Sequence, residues 1–299
     1  MTKMTGSEWC RMELVLITGL SGSGKSVALA VLEDAGYYCV DNFPSKLFNN
    51  LVDVLEASGQ VRVALTMDAR SGDDMAGFSA HMESLHARGV RFKMLYFDAR
   101  DDTLIKRYSE TRRRHPLSDG RLTLEECIAR ERELLANAAA LADHIDTSDL
   151  SPNVLRSWVK DFVAVPRDGL ILSFESFGFK FGIPLDADLV FDVRSLPNPH
   201  YDPVLSPLTG QDAAVIEFMQ AAPEAQRLLE DIRKFVDTWL PSFVRDNRSY
   251  LTVAIGCTGG RHRSVYFVEA LARAFRGTAQ VQVLARHRAL SQRALRALP

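Results

Sequence analysis

Gly19-Leu20-Ser21-Gly22-Ser23-Gly24-Lys25-Ser26 is the stretch on which the fold turns. It reads G-x-x-x-x-G-K-S. Residues 12–18 before it form an apolar run that predicts a strand, and residues 26–35 after it have helical spacing. Glycines let the backbone curl until successive N–H groups face one anion, and the helix start adds partial positive charge. In that setting Lys25 reaches the β- and γ-phosphates of a nucleotide, and the Ser26 hydroxyl ligates Mg2+. Strand, phosphate loop and helix in that order predict an α/β domain with a parallel sheet. The expected cofactors are a nucleotide and Mg2+, and Lys25 and Ser26 are the expected chemical residues.

Working outward, the first half keeps the same rhythm. Gly36 closes the first helix as a C′ glycine. Strands are predicted over 37–40, 61–67, 91–97 and 144–147, and helices over 44–57, 73–88, 103–114 and 123–142. Thr123 with Glu126 three residues on is a capping-box pattern. Asp41, Asp68 and Asp98 end neighbouring strands. Ligands of parallel sheets sit beyond those ends, so one of the three is expected to hold the Mg2+ water shell. Asp98 follows the cleanest apolar strand, and Asp41 is as well placed. Asp41 is also the expected base if the domain is a small-molecule kinase. Arg107, Arg112, Arg113, Arg114 and His115 then read as an arginine lid, or as a solvated helix face.

An amphipathic helix over 151–167 and a Pro-Arg-Asp-Gly turn mark a domain boundary, giving domains over 1–155 and 168–299. The second half predicts strands at 170–174, 187–193 and 250–255 and helices at 222–239 and 264–276. Residues 196–210, LPNPHYDPVLSPLTG, hold four prolines and predict a long functional loop. Cys257-Thr258-Gly259-Gly260-Arg261-His262-Arg263-Ser264 is a second anion loop between strand and helix, spaced C-x5-R-S. Its readings are phosphate binding without turnover, a cysteine-dependent phosphatase, or a structural turn. Phosphatase chemistry needs a general acid, for which Asp202 and Asp212 are the candidates. His200, in the proline-rich loop, can cap the same ligand.

The chain has 299 residues, 46% of them hydrophobic and 25% charged, which fits two globular domains and excludes a disordered chain. No apolar run is long enough for a membrane span, and the N-terminus does not read as a secretory signal. Cys10, Cys39, Cys127 and Cys257 form no CxxC pair, which points to a reducing cytoplasm and away from zinc. Net charge is −2, unevenly spread. Residues 256–299 hold eight arginines against Glu269 alone, a net +7, which leaves −9 for the rest. A basic end on an acidic body suggests an anionic partner, nucleic acid first.

Longer stretches carry a resemblance. They are TGLSGSGKSVAL (18–29), GYYCVDNFP (36–44), DARS (68–71), RYSETRRRHPL (107–117), FESFGFKFGIPLDADLVFDVRSLPNPHYDP (174–203), LTG (208–210) and SYLTVAIGCTGGRHRSVY (249–266). On these, nearly the whole chain resembles the RapZ/YvcJ family of P-loop nucleotide-binding proteins, also called RNase adapter proteins. The resemblance implies a kinase-like N-domain that binds ATP and GTP and hydrolyses them weakly, with the phosphate loop at Gly19–Ser26. It places a guanine-nucleotide segment at Asp68, Ala69, Arg70 and Ser71. It implies a C-domain pocket for an amino-sugar phosphate, glucosamine-6-phosphate, made of Asp192, Arg194, His200, Thr258, Gly259 and Arg263. Small RNA, held by Arg273, Arg276, Arg286 and Arg288, and an endoribonuclease are the implied partners, with assembly as a homo-oligomer. Residues 1–11 extend beyond the family's usual start. After Gly277 little of the family pattern remains beyond His287-Arg288.

Overall fold

A computed structural model describes residues 13–44, 47, 50–51, 54, 62–69, 78–87, 90, 92–164, 170–245, 248, 250–279 and 281–290. The predicted helix over 44–57 and the start of that over 73–88 fall largely outside these residues. The chain divides into two compact units, and the changeover falls between residues 148 and 162.

The first unit is built on β1 (Glu13–Gly19), β2 (Tyr38–Val40), β3 (Arg62–Thr66), β4 (Phe92–Asp98) and β5 (Asp143–Asp146). All pair in parallel, in the order β2-β3-β1-β4-β5. β1 is central, and its residues after Glu13 are all buried, which is why LVLIT is apolar without alternation. Around the sheet lie α1 (Lys25–Asp34), α2 (Phe78–Ala87), α3 (Asp101–Thr111), α4 (Leu124–Leu141) and α5 (Pro152–Ala164). The capping box forms as expected: the Glu126 N–H donates to Thr123 Oγ1 at 3.2 Å and the Thr123 N–H to Glu126 Oε2 at 2.7 Å. α3 stops at Thr111 rather than 114, because Arg112 turns left-handed at φ 51°.

The second unit has β6 (Leu170–Gly178), β7 (Leu189–Asp192), β8 (Tyr250–Cys257) and β9 (Val281–His287), parallel in the order β7-β8-β6-β9. α6 (Ala213–Gln220), α7 (Pro223–Arg245) and α8 (Arg263–Phe275) complete it. Its core packs Leu172, Phe174, Val253 and Ile255 of the sheet against Phe267, Leu271 and Phe275 of α8. Each such side chain contributes about 1.5–3 kcal/mol by leaving water. The proline-rich stretch carries only a short 3-10 turn, Pro199–Tyr201. β9 and α6 are additions to the sequence reading. Among the described residues no helix is long and apolar enough to cross a membrane.

Candidate functional site

The first anion loop leaves the carboxyl end of β1 and enters α1. Gly19, at φ +132°, passes so close to β4 that a Cβ there would lie 2.2 Å from the Phe97 carbonyl oxygen. Gly24, at φ 111°, starts α1, and a Cβ there would meet Leu155 at 2.7 Å. Both turns therefore need glycine. Gly24 is the N-cap of α1, and the start of a helix, with its partial positive charge, is suited to an anion.

The loop is held from several sides. Lys25 Nζ donates to the carbonyls of Gly19 and Leu20, the latter at 3.1 Å. Ser23 Oγ donates to Leu20 O at 2.6 Å, and Thr147 Oγ1 to Ser23 O at 2.8 Å. Arg107 donates from Nη1 to Gly22 O at 3.0 Å and from Nη2 to Thr147 O at 2.6 Å. Ser21 donates twice to the buried Glu131 of α4, from its N–H at 2.8 Å and its hydroxyl at 2.7 Å. His115 Nε2 lies 3.1 Å from the same carboxylate. Burial pushes the Glu131 carboxyl up, but the bonds from His115 and Ser21 and the charge of Lys25 outweigh it and hold it below its ordinary value.

The strand order sorts the three acids. Asp68 follows β3, the direct neighbour of β1, and is buried. Asp41 follows β2, one strand farther out; it is exposed and accepts from the Thr66 hydroxyl and the Asn42 N–H. Asp98 ends β4, but both its oxygens are taken by Arg132 Nη1 at 2.7 and 2.8 Å. Asp98 is thereby engaged in an ion pair with α4. Ser26 is exposed at the start of α1. A hydroxyl with a strand-end carboxylate is a set of hard oxygen donors, which fits Mg2+ shared with nucleotide phosphates. Ala69 is buried; Arg70 and Ser71 lie outside the described residues. The expected arginine lid is not helical beyond Thr111. Arg112, Arg113 and Arg114 are exposed in the segment that follows, and His115 turns inward.

The second anion loop leaves β8 at Cys257 and enters α8. Five of the six expected pocket residues gather at this carboxyl edge. Arg263 Nη1 donates to the carbonyls of Arg194 at 2.7 Å and Leu196 at 2.9 Å, and Nη2 lies 3.5 Å from Thr258 Oγ1. Asp192, last in β7, pairs through both oxygens with Arg194, whose hydrogen bond holds the carboxyl below its ordinary value. Arg194 also lies 3.9 Å over the Phe179 ring. Gly259 would, with a Cβ, stand 3.9 Å from Lys180 Nζ. His200 joins through His262, their rings 6.2 Å apart. His262 Nε2 is buried with no hydrogen-bond partner among the described residues, and burial together with Arg261 lowers its pKa.

The phosphatase geometry is not assembled. Cys257 Sγ accepts from the Gly260 N–H at 3.2 Å and lies 3.1 Å from Ser264 Oγ, but Arg263 Nη1 is engaged by main-chain carbonyls. Hydrogen bonds from the Thr209 hydroxyl and amide hold Asp212 below its ordinary value, so it stays ionised and is a poor proton donor. Asp202 accepts the Val204 N–H at 2.8 Å.

The expected RNA face needs correction. Arg273 and Arg276 are exposed, but Arg286 and Arg288 are 7% and 5% exposed. Arg286 sits near the end of β9 and Arg288 just past it, with Arg288 Nη1 3.0 Å from Glu175 and 3.4 Å from Asp186. They serve the interior of the unit. Arg293 and Arg296 lie outside the described residues.

The sequence model of the RapZ-like N-terminal domain matches residues 12–166, and that of the RapZ C-terminal domain matches residues 170–291. The chain belongs to the RapZ family. Curated relatives include a nucleotide-binding protein of Azoarcus sp. (strain BH72), 57% identical over 289 residues, covering 96% of this chain and 98% of that one. Another is a nucleotide-binding protein of Thiobacillus denitrificans, 59% identical over 280 residues, covering 94% and 100%. Among solved structures, shikimate kinase from Bacteroides thetaiotaomicron aligns over 52% of this chain and 99% of its own, with 15% identity and a TM-score of 0.38.

Within this RapZ-family chain, sequence reading missed Glu131, Lys180 and His262. Glu131 did leave a signal. Cys127, Ile128, Leu135 and Ala138 form the buried stripe of α4, and Glu131 stands inside it. A charge in an apolar stripe has a partner to find.

Proposed function

We propose that the chain is a cytoplasmic regulatory protein of the RapZ type with two small-molecule inputs. ATP or GTP with Mg2+ binds residues 19–26 and is hydrolysed weakly. Lys25 meets the outer phosphates, Ser26 and Asp68 serve the metal, and the segment at 68–71 reads the base. An amino-sugar phosphate, glucosamine-6-phosphate, binds the edge formed by Asp192, Arg194, His200, Thr258, Gly259 and Arg263. Small RNA, gathered at Arg273 and Arg276, and an endoribonuclease read the state, and the chain works as a homo-oligomer. One observation carries this reading: each unit ends the carboxyl edge of a buried parallel strand in its own glycine-rich turn that opens a helix. Two such anion sites suit a protein that compares two phosphorylated ligands.

Calorimetry with Mg-ATP and with glucosamine-6-phosphate tests it. Lys25→Ala is expected to lose the nucleotide alone, and Arg194→Ala the sugar phosphate alone. Wild-type protein that binds neither overturns the reading. For RNA, a gel shift at two salt concentrations is expected to show a slope shallower by up to about 2 in Arg273→Ala/Arg276→Ala. An unchanged slope removes RNA from the proposal. Rapid ATP turnover that depends on an added acceptor would instead make the first unit a kinase, with Asp41 as its base.

A further inference from the structure

Glu131 is costly twice over. Burying a carboxylate demands compensation. A negative charge behind an anion loop also opposes the anion. An apolar side chain would fill the same stripe of α4 without either cost. What the carboxylate adds is geometry. Its two oxygens take both donors of Ser21, the N–H and the hydroxyl, which fixes the peptide plane and the side-chain rotamer of the loop's third residue together.

The third bond brings in a second segment. The Leu117 N–H donates to His115 Nδ1 at 3.2 Å. Nδ1 must therefore carry the lone pair, which leaves the proton on Nε2, pointing at Glu131 Oε2. His115 immediately follows Arg112, Arg113 and Arg114, the exposed arginines beyond α3. Loop and arginine segment thus share one buried anchor, although Ser21 and Glu131 are 110 residues apart in sequence.

We propose that Glu131 is a positioning residue for nucleotide binding, fixing Ser21 of the phosphate loop and, through His115, tying the arginine segment 112–114 to the same anchor. This rests on the reading that nucleotide sits on residues 19–26. The role is one of bond geometry, not of charge. A glutamine at 131 keeps every bond: its oxygen accepts the Ser21 N–H and His115 Nε2–H, and its amide donates to Ser21 Oγ. An alanine keeps none.

The experiment titrates a fluorescent ATP analogue with Mg2+ into wild type, Glu131→Gln, Glu131→Ala and Lys25→Ala, well below the melting temperature of each. Glu131→Ala is expected to bind about tenfold or more weaker, and Glu131→Gln within about threefold of wild type. A purely structural role would lower melting temperatures and leave affinity alone. Near-wild-type affinity in Glu131→Ala, with Lys25→Ala impaired, overturns the proposal. So does a Glu131→Gln as weak as Glu131→Ala, since charge would then be the requirement. If Lys25→Ala binds normally, the loop reading itself fails. Should Glu131→Ala not fold, Ser21→Ala removes one of the two bonds and is expected to weaken binding about threefold; no loss overturns the proposal. Trypsin reads the second tie. Cleavage at Arg112–Arg114 is expected to be at least about threefold faster in Glu131→Ala than in Glu131→Gln, and equal rates overturn that tie.

Discussion

The loops at 19–26 and 257–264 are the same device used in two ways. Each leaves a buried parallel strand, turns on glycines and opens a helix. In the first, the basic residue lies over the loop on carbonyls of the loop itself, and the anchoring comes from Glu131, Arg107 and Thr147 on later elements. In the second, the basic residue is the anchor. Arg263 is buried and grips the backbone at 194 and 196, so the exposed cations at that edge include Arg194 and Lys180 instead. A motif that pairs glycines with a cation therefore does not say which cation meets the ligand. That depends on what supports the loop.

Four measurements would break or sharpen this contrast. Gly19→Ala puts a Cβ against the Phe97 carbonyl at a left-handed φ, and the obstacle is backbone that cannot swing away. It is expected to cost about 3 kcal/mol or more, seen as a large drop in the denaturation midpoint. Arg263→Ala strips two carbonyls of their donor and is expected to cost about 2–4 kcal/mol. Lys25→Ala is expected to do the reverse: stability within about 1 kcal/mol of wild type, but nucleotide affinity down about 30-fold, or about 2 kcal/mol. If Arg263→Ala proves as stable as Lys25→Ala, the contrast is wrong. The smallest effect is on the acid limb of stability. Glu131 is held below its ordinary value in the folded chain, so its contribution is full above the unfolded value and fades as pH falls through the folded one. Glu131→Gln is therefore expected to flatten the loss of stability below about pH 4. Parallel curves for both proteins would show that the carboxylate titrates alike folded and unfolded.

How much of this could be read from the sequence follows from how local each feature is. The loop at 19–26, the capping box at Thr123 and the strand-end acids depend on neighbours a few residues apart, and spacing exposes them. The Ser21–Glu131 bond spans the unit, and no spacing announces it. The arginine-rich end misled for a related reason. Counting charges treats Arg286 and Arg288 as surface, but β9 pairs with β6 and turns them inside, where Glu175 and Asp186 meet Arg288. Val281 and Val283 alternate too briefly to announce that strand. The helix expected to reach Arg114 stops short at one residue, Arg112, whose left-handed turn ends α3.

The position of β9 has a consequence for synthesis. All five strands of the first sheet have left the ribosome once residue 146 is out, whereas the second sheet gains its last strand only at His287. Until then β6 lacks one of its two neighbours, and Glu175 lacks the guanidinium of Arg288. A product stopped, or clipped, a few residues before Val281 would carry a finished nucleotide unit joined to a sheet with an open edge. Such a fragment presents a raw strand edge to chaperones and proteases.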